Sequence, residues 1–167
     1  ARAFASCWID SSGNFWLFGG EVPGGVYNDL WKYNGTNWIW MRGVNTASSA
    51  GLYNTQGQTS STSEPPARAG AASWIDLSGN FWLFGGVRSS SRFNDLWKFD
   101  GTNWTWISGS STAGASGNYG SVTVPSSSNV PGAHHYSGFA RDMGGNLWFM
   151  GGYGTGSEMN DLWRYTP

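Results

Sequence analysis

The tetrapeptide Asn28-Asp29-Leu30-Trp31 decides the fold, because the chain contains it three times. It returns 66 residues later as Asn94-Asp95-Leu96-Trp97, and after the same interval again as Asn160-Asp161-Leu162-Trp163. A Gly-Gly pair recurs with the same spacing, at Gly19-Gly20, Gly85-Gly86 and Gly151-Gly152. Self-similarity at one fixed period indicates a repeat architecture. We therefore divide the chain into repeats at 1–66, 67–132 and 133–167, of which the third is partial.

Each repeat is predicted to form short β-strands joined by turns rich in Asp, Asn and Gly, residues that suit tight hairpins. Four strands are predicted in the first repeat, at Phe4–Ile9, Phe15–Phe18, Leu30–Tyr33 and Trp38–Met41. The second repeat contains the same four, at Gly70–Ile75, Phe81–Phe84, Leu96–Phe99 and Trp104–Ile107. The third contains three, at Tyr136–Arg141, Leu147–Met150 and Leu162–Tyr165. The sequence thus predicts an all-β protein.

The second strand of each repeat is apolar at every position, so both of its faces should be covered. A four-stranded antiparallel sheet between two neighbouring sheets meets that requirement, as in the blades of a β-propeller. Trp38 and Trp40 are two residues apart and should point to one side, into the gap between blades. Cys7 is expected to be a small buried residue.

The repeated residues resemble the Kelch-repeat and galactose-oxidase-like β-propeller family, in its bacterial-type tandem form. The resemblance lies in Arg2 or Arg68 opening the first strand, the Gly-Gly pair closing the second, the aromatic residue after Asp-Leu, and Trp38 or Trp104 on the fourth. It implies a propeller of about six or seven blades. Members include protein-binding scaffolds and copper-radical oxidases, so the resemblance does not transfer one function.

About two and a half blades are expected from this sequence, fewer than a closed propeller requires. The third would lack its outer strand and leave Leu162–Tyr165 as an open edge. Two interpretations follow: the chain is a piece of a longer parent with further blades, or it closes by associating with copies of itself or another protein. Membership of an oligomer or larger complex is expected in either case.

Composition excludes several functions. Charged residues make up 11% of the chain, against about 25% in typical domains, and the formal net charge is -1. The clustered cations that nucleic acids require are absent, and no apolar stretch is long enough to span a bilayer. The low Lys and Glu content with abundant Ser, Thr, Gly and Asn resembles exported bacterial proteins. We therefore expect an extracellular or cell-surface location, with the periplasm as an alternative.

Strand alternation places the divergent second-to-third loops at one end of the blades, and variable loops on a rigid scaffold commonly carry binding. Three candidates, Arg2, Arg68 and His134, enter the first strand from that end. They could line an anion-binding pore, or form pairs with an acidic residue such as Asp29 or Asp95, which an Arg fork fits well. The full set of candidate partner-binding residues is Arg2, Arg68, His134, Glu21, Arg88, Arg92, Tyr27, Phe93 and Tyr153.

The long segments Gly43–Pro66 and Gly109–Gly132 are rich in Ser, Thr, Gly and Asn. They could be flexible and take part in binding. Alternatively they decorate the rim of the blades, held in place by Tyr53 and Tyr119, which occupy equivalent positions.

No metal, cofactor or catalytic set is expected. The galactose-oxidase resemblance implies copper bound by His and Tyr, and His134-His135-Tyr136 is the cluster that tests it. Adjacent strand residues face opposite sides, so His134 and His135 should not share one metal. The Asp-x-x-Gly-Asn turns beginning at Asp10, Asp76 and Asp142 lack the further carboxylates of a calcium site.

The predicted function is a non-catalytic binding or scaffold module that contacts a protein, or further blades of its parent, through the loop-rich end. Two alternatives remain open: a fragment of a galactose-oxidase-like copper enzyme, and a glycan-binding surface propeller. Neither nucleic acid nor membrane insertion is expected.

Overall fold

The computed structural model describes all residues from 1 to 167. It consists of β-strands, turns and irregular segments without any helix, so the all-β prediction is confirmed. No helix capable of crossing a membrane is present. Its four antiparallel sheets do not close into a ring.

Three sheets follow the three repeats. Sheet I has the order β1 (Ser6–Ile9), β2 (Phe15–Val22), β3 (Gly25–Tyr33) and β4 (Trp38–Arg42). Sheet II contains β5 (Ala72–Ile75), β6 (Phe81–Phe84), β9 (Leu96–Phe99) and β10 (Trp104–Ser108), and a separate pair is formed by β7 (Val87–Arg88) and β8 (Ser91–Arg92). Sheet III has three strands, β11 (Gly138–Arg141), β12 (Leu147–Tyr153) and β13 (Glu158–Tyr165). As predicted, β13 is an open edge.

The predicted strand positions are confirmed, and β6 ends at Phe84 before its Gly-Gly pair as predicted. The predicted ends are wrong at the Gly-Gly pairs of the first and third repeats, where β2 and β12 continue past them. Gly19-Gly20 does not end the second strand; the register shifts there between Phe18 and Gly20, and β2 continues to Val22 opposite β3. A shift of this kind is a β-bulge, in which glycine supplies the left-handed backbone. Gly19 and Gly20 have φ values of 63° and 95°. The segments predicted as loops between the second and third strands of each repeat therefore form hairpins, by extension of β2 and β3 or of β12 and β13, or as the separate pair β7 and β8.

The sheets pack face to face in chain order. The core between sheets I and II contains Trp8, Trp16 and Phe18 from the first and Trp97 and Trp104 from the second. The core between sheets II and III joins Trp74, Trp82, Phe84 and Leu96 to Leu147 and Phe149. Sheet II is covered on both faces, and all four residues of β6 are buried as the apolar pattern predicts.

Sheet I is covered on one face only, which overturns two sequence predictions. Cys7 is exposed instead of buried. Trp38 and Trp40 are 52% and 48% exposed, whereas Trp104, which corresponds to Trp38 on sheet II, is 0% exposed. Trp38 and Trp40 lie on the same side of β4, as predicted. No other sheet packs against that side of sheet I.

The long segments between repeats are ordered against the following sheet. The Tyr53 hydroxyl donates to Asp95 Oδ2 at 2.6 Å, and the Tyr119 hydroxyl donates to Asp161 Oδ2 at 2.8 Å. Gly57 N donates to the carbonyl of Trp106 on the edge strand β10 at 2.8 Å. The alternative in which these tyrosines hold the segments in place is confirmed.

Candidate functional site

Arg68 and Asp95 form a buried ion pair. Two guanidinium nitrogens donate to the two carboxylate oxygens, each at 2.7 Å, and the side chains are 1% and 0% exposed. Arg68 also donates to the carbonyls of Pro66 and Gly85, while Asp95 accepts from the indole of Trp97. The guanidinium and the carboxylate make these hydrogen bonds within the protein, so Arg68 does not face a pore.

The same relation holds in the other two repeats. Arg2 is bidentate to Asp29 at 2.7 and 2.8 Å, and His134 Nε2 lies 3.1 Å from Asp161 Oδ1. The predicted pairing of Arg2 and Arg68 with Asp29 and Asp95 is therefore confirmed. Since these cations are used within the fold, they are not free to bind an anion.

Several other predicted partner-binding residues make contacts within the protein. Phe93 is 3% exposed and lies under the guanidinium groups of Arg68 and Arg88, at 4.5 and 5.7 Å from the ring centre. The prediction that Phe93 is an accessible loop aromatic is therefore wrong, because the hairpin extension turns it inward. Tyr27 is half-buried with Arg2 over its ring, and Arg88 donates to the carbonyl of Ser49 at 2.9 Å.

The remaining candidates lie at the surface or close to it. Glu21 is exposed, and its backbone pairs with Ala3. Tyr153 is 48% exposed, and its ring lies 5.6 Å from that of His135. Arg92 is half-buried, and its guanidinium reaches the carbonyl of Ser90 at 3.4 Å.

The Asp turns are structural. The Asp76 carboxylate accepts from the backbone of Ser78 and Asn80, from the Asn80 amide and from the indole of Trp82. Burial would raise the pKa of Asp76, but these hydrogen bonds outweigh it and hold that pKa below its usual value. Asp10 and Asp142 make the same contacts, and their pKa values lie at about 2. This use of all carboxylate oxygens confirms the hairpin interpretation.

The His134-His135-Tyr136 cluster does not converge on one point. His134 places Nδ1 2.5 Å from the carbonyl of Gly132 and uses Nε2 for Asp161. His135 places Nδ1 2.9 Å from the carbonyl of Tyr153, and burial lowers its pKa. No group of three or more His, Cys, Asp or Glu side chains is arranged to hold a metal ion.

An open groove of about 450 Å³ runs along the first strands of the three sheets, and sequence reasoning missed it. Apolar residues line most of it, Phe139 among them, and the lining also includes the partly exposed side chains of Phe4 and Tyr136. These residues are 57% and 42% exposed, and their ring centres lie 5.0 Å apart. We call this surface the aromatic groove.

Phe4, Gly70 and Tyr136 occupy the same position in the three repeats and share one unusual backbone conformation. Their φ values are 56°, 64° and 57°, in the left-handed region. This conformation directs Gly70 N to the carbonyl of Phe4 at 2.9 Å and Tyr136 N to the carbonyl of Gly70 at 2.8 Å. The turn thus joins successive sheets by their backbones.

Glycine adopts a left-handed backbone freely, whereas other L residues incur roughly 1–2 kcal/mol. Gly70 shows that glycine meets the needs of the turn, and a Cβ there would collide with the Tyr136 ring. The first and third repeats nevertheless place large aromatic side chains in this conformation and leave them half exposed. Strained residues of this kind are found disproportionately at ligand sites.

Polar groups lie beside the two aromatic rings. The backbone of Glu21 pairs with Ala3, the residue before Phe4, which places Glu21 near the groove. Burial, and then the negative charge of Glu21, raise the pKa of the Tyr136 phenol. The His135 ring lies 4.7 Å from the Tyr136 ring on the other side. The groove therefore combines an apolar floor, two projecting rings and one nearby free carboxylate. The only sequence signal for it was Gly70 standing where the other repeats have Phe4 and Tyr136.

No protein-family model matches the chain, and no curated protein matches its sequence.

Proposed function

We propose that the chain forms blades of a Kelch-type β-propeller and acts as a non-catalytic binding module, with the aromatic groove as its contact surface for a partner protein. The sheets would be blades of the propeller, and their first strands would face its central channel. Support comes from the face-to-face stacking of sheets with one repeated pattern and from the Arg or His to Asp pair in each repeat.

One observation carries the binding proposal: Phe4 and Tyr136 are held exposed in a backbone conformation that glycine fills at the equivalent position. Their mutual contact returns about 0.5–1.5 kcal/mol, which does not exceed the combined strain of the two positions. A contact outside the chain accounts for two aromatic residues there, because aromatic anchors dominate protein interfaces.

The chemistry of the groove favours a short peptide segment with an apolar side chain. The floor is formed by small residues, among them Ala5, Ala71 and Ser137, which leave room for a side chain between the two rings. Glu21, exposed beside the groove, favours a Lys or Arg next to that side chain. An exported location, as predicted from composition, would place the partner outside the cytoplasm.

The test is to pan a library of displayed random peptides against the chain and against the variant Phe4→Gly/Tyr136→Gly. Glycine at both positions removes the rings and the strain together, so we expect the variant to remain folded, with stability within about 1 kcal/mol of the parent. Peptides with an apolar residue beside a basic one should be enriched on the parent and lose at least about tenfold in affinity on the variant.

Two results would contradict this function. Enriched peptides that bind the glycine variant equally well would place the binding surface elsewhere. Selective binding of oligosaccharides, with no peptide enriched, would favour the glycan-binding alternative, because sugar rings also stack on exposed aromatic side chains. A fragment of a copper oxidase is the weakest of the three candidates, because His134 and His135 direct ring nitrogens at Asp161 and at backbone carbonyls.

A further inference from the structure

Each sheet has two different apolar faces. On sheet I the front face carries Ile9, Phe15, Leu17, Trp31, Tyr33, Trp38 and Trp40, which the strand register places on one side. The back face of sheet I carries Trp8, Trp16, Phe18 and Leu30. Residues 66 positions later form the front and back faces of sheet II, and the next interval gives those of sheet III.

Both interfaces inside the chain follow one rule: a back face receives the front face of the next sheet. Phe81, Phe99 and Trp104 from the front of sheet II pack on the back of sheet I, with Trp8 stacked on Phe81 at 5.1 Å. Leu147, Phe149, Trp163 and Tyr165 from the front of sheet III pack on the back of sheet II in the same way. One mode of contact therefore occurs twice.

The outermost faces of the stack correspond to the two halves of that contact, with Ala140 on sheet III where the other two back faces have Trp8 and Trp74. On the free front face of sheet I, Ile9 is 64% exposed and Trp38 is 52% exposed, while the corresponding Trp104 is 0% exposed. On the free back face of sheet III, Met150 and Leu162 are 58% and 60% exposed, while the corresponding Phe84 and Leu96 are 4% and 5% exposed. Exposed apolar patches of this kind mark association surfaces.

We propose that the front face of sheet I in one copy of this chain binds the back face of sheet III in a second copy. The occupant is a second copy because the chain carries both halves of an interface that it already uses twice. The missing fourth strand of sheet III removes little, since Ile107 is the only residue that the fourth strand of sheet II adds to the corresponding core. A front-to-back contact is heterologous, so it propagates into a ring or an open row of copies.

This inference is independent of the aromatic groove, which lies along the first strands and not on the outer faces of the stack. The glycine variant of Phe4 and Tyr136 should therefore associate as the parent does. Loss of peptide binding with association intact would identify two separate surfaces.

The decisive experiment measures native mass for the parent and for two variants, Trp38→Glu on the front face and Leu162→Glu on the back face. Met143→Glu is the matched control, because Met143 is 99% exposed in a turn away from both faces. Circular dichroism checks that each variant is folded. The parent and the control should have masses of at least twice the 18.1 kDa of the chain, and each face variant alone should be monomeric.

Mixing the two face variants distinguishes front-to-back contact from every symmetric alternative. The Trp38→Glu chain keeps its back face and the Leu162→Glu chain keeps its front face, so an equimolar mixture should form a one-to-one dimer and nothing larger. A parent that stays monomeric up to its solubility limit overturns the proposal. So does a Leu162→Glu chain that still associates by itself, a control that dissociates, or a mixture that stays monomeric.

Discussion

Arg68 and Asp95 face each other across two hydrogen bonds of 2.7 Å with almost no access to solvent. Desolvating two charges is costly, and the pair is tolerated because the remaining groups are also satisfied. Asp95 accepts from Trp97 and Tyr53, and Arg68 donates to Pro66 and Gly85. The pair therefore joins the segment before β5, the glycine after β6 and the start of β9.

Replacing Arg68 by Met should lower the free energy of unfolding by about 3–5 kcal/mol, because it leaves Asp95 buried without its cation. Urea denaturation followed by tryptophan fluorescence measures the change. Arg2→Met is the matched control, since the Arg2 side chain is 26% exposed and solvent screens its pair with Asp29. We expect that variant to lose about 1 kcal/mol. Equal losses would contradict the role assigned to burial.

The hydroxyl of Tyr53 supports the same carboxylate from the segment between repeats. Burial, and then the charge of Asp95, raise the pKa of this phenol. Tyr53→Phe should lower the free energy of unfolding by about 1.5–3 kcal/mol, because it removes a hydrogen bond to a buried charge. Tyr119→Phe removes the equivalent bond to Asp161 at an exposed position, and should cost less than about 1 kcal/mol. Thermal unfolding of the two variants side by side gives the comparison.

The repeat allowed most of the fold to be predicted. Strand positions in sheet II follow the apolar pattern closely, with β6 and β9 at the residues predicted. The strand ends at Gly19-Gly20 were missed because a glycine pair favours a bulge and a strand end equally. The positive φ that distinguishes the bulge depends on contacts with the following repeat, where Gly20 N donates to the carbonyl of Arg68.

Exposure was harder to predict than strand position. Trp38 and Trp104 occupy equivalent places in nearly identical strands, yet they are 52% and 0% exposed. Alternation shows which side chains share a face, but whether another sheet covers that face depends on residues far along the chain. The aromatic groove was missed for a similar reason, because Phe4 and Tyr136 give no local signal for a left-handed backbone.

The variants Trp104→Ala and Trp38→Ala test this difference in exposure. Trp104 packs on Phe18 and Phe99 in the core between sheets I and II, so its truncation should cost about 3–5 kcal/mol. Trp38 is 52% exposed at the surface of sheet I, where its ring lies against Phe15 and Tyr33, and its truncation should cost about 1 kcal/mol. Denaturation in dilute solution tests both. A Trp38 variant as damaged as the Trp104 variant would mean that the front face is covered.

The Asp turns predict an acid-sensitive fold. The folded pKa values of Asp10 and Asp142 are about 2, below the unfolded value of about 3.9, and that of Asp76 is lowered as well. The unfolded chain therefore takes up protons first as the pH falls. The stability that these carboxylates supply is complete above about pH 4 and is lost toward about pH 2.

Asp76→Asn tests this dependence on one turn. At neutral pH the variant should lose about 1 kcal/mol, because the amide replaces only part of the hydrogen bonding and solvent reaches the turn. Its stability should also fall less steeply than that of the parent between about pH 4 and pH 2. Urea midpoints across this range provide the comparison. Parallel curves for parent and variant would show that Asp76 does not contribute to the acid transition.

Gly85→Ala examines the glycine pair after β6, where Gly86 N donates to the carbonyl of His134 and so connects sheets II and III. Gly85 has φ 67°, and an added Cβ would lie 2.5 Å from the carbonyl oxygen of His134, which is backbone and cannot move aside. The left-handed strain of about 1–2 kcal/mol then adds to about 1–3 kcal/mol of overpacking. Gly79→Ala isolates the first contribution, because its φ is 85° and nothing lies within 4 Å of the added atom. Chemical denaturation should thus show a loss for Gly85→Ala about twice that for Gly79→Ala, and a smaller loss at Gly85 would mean that sheets II and III separate easily at this glycine.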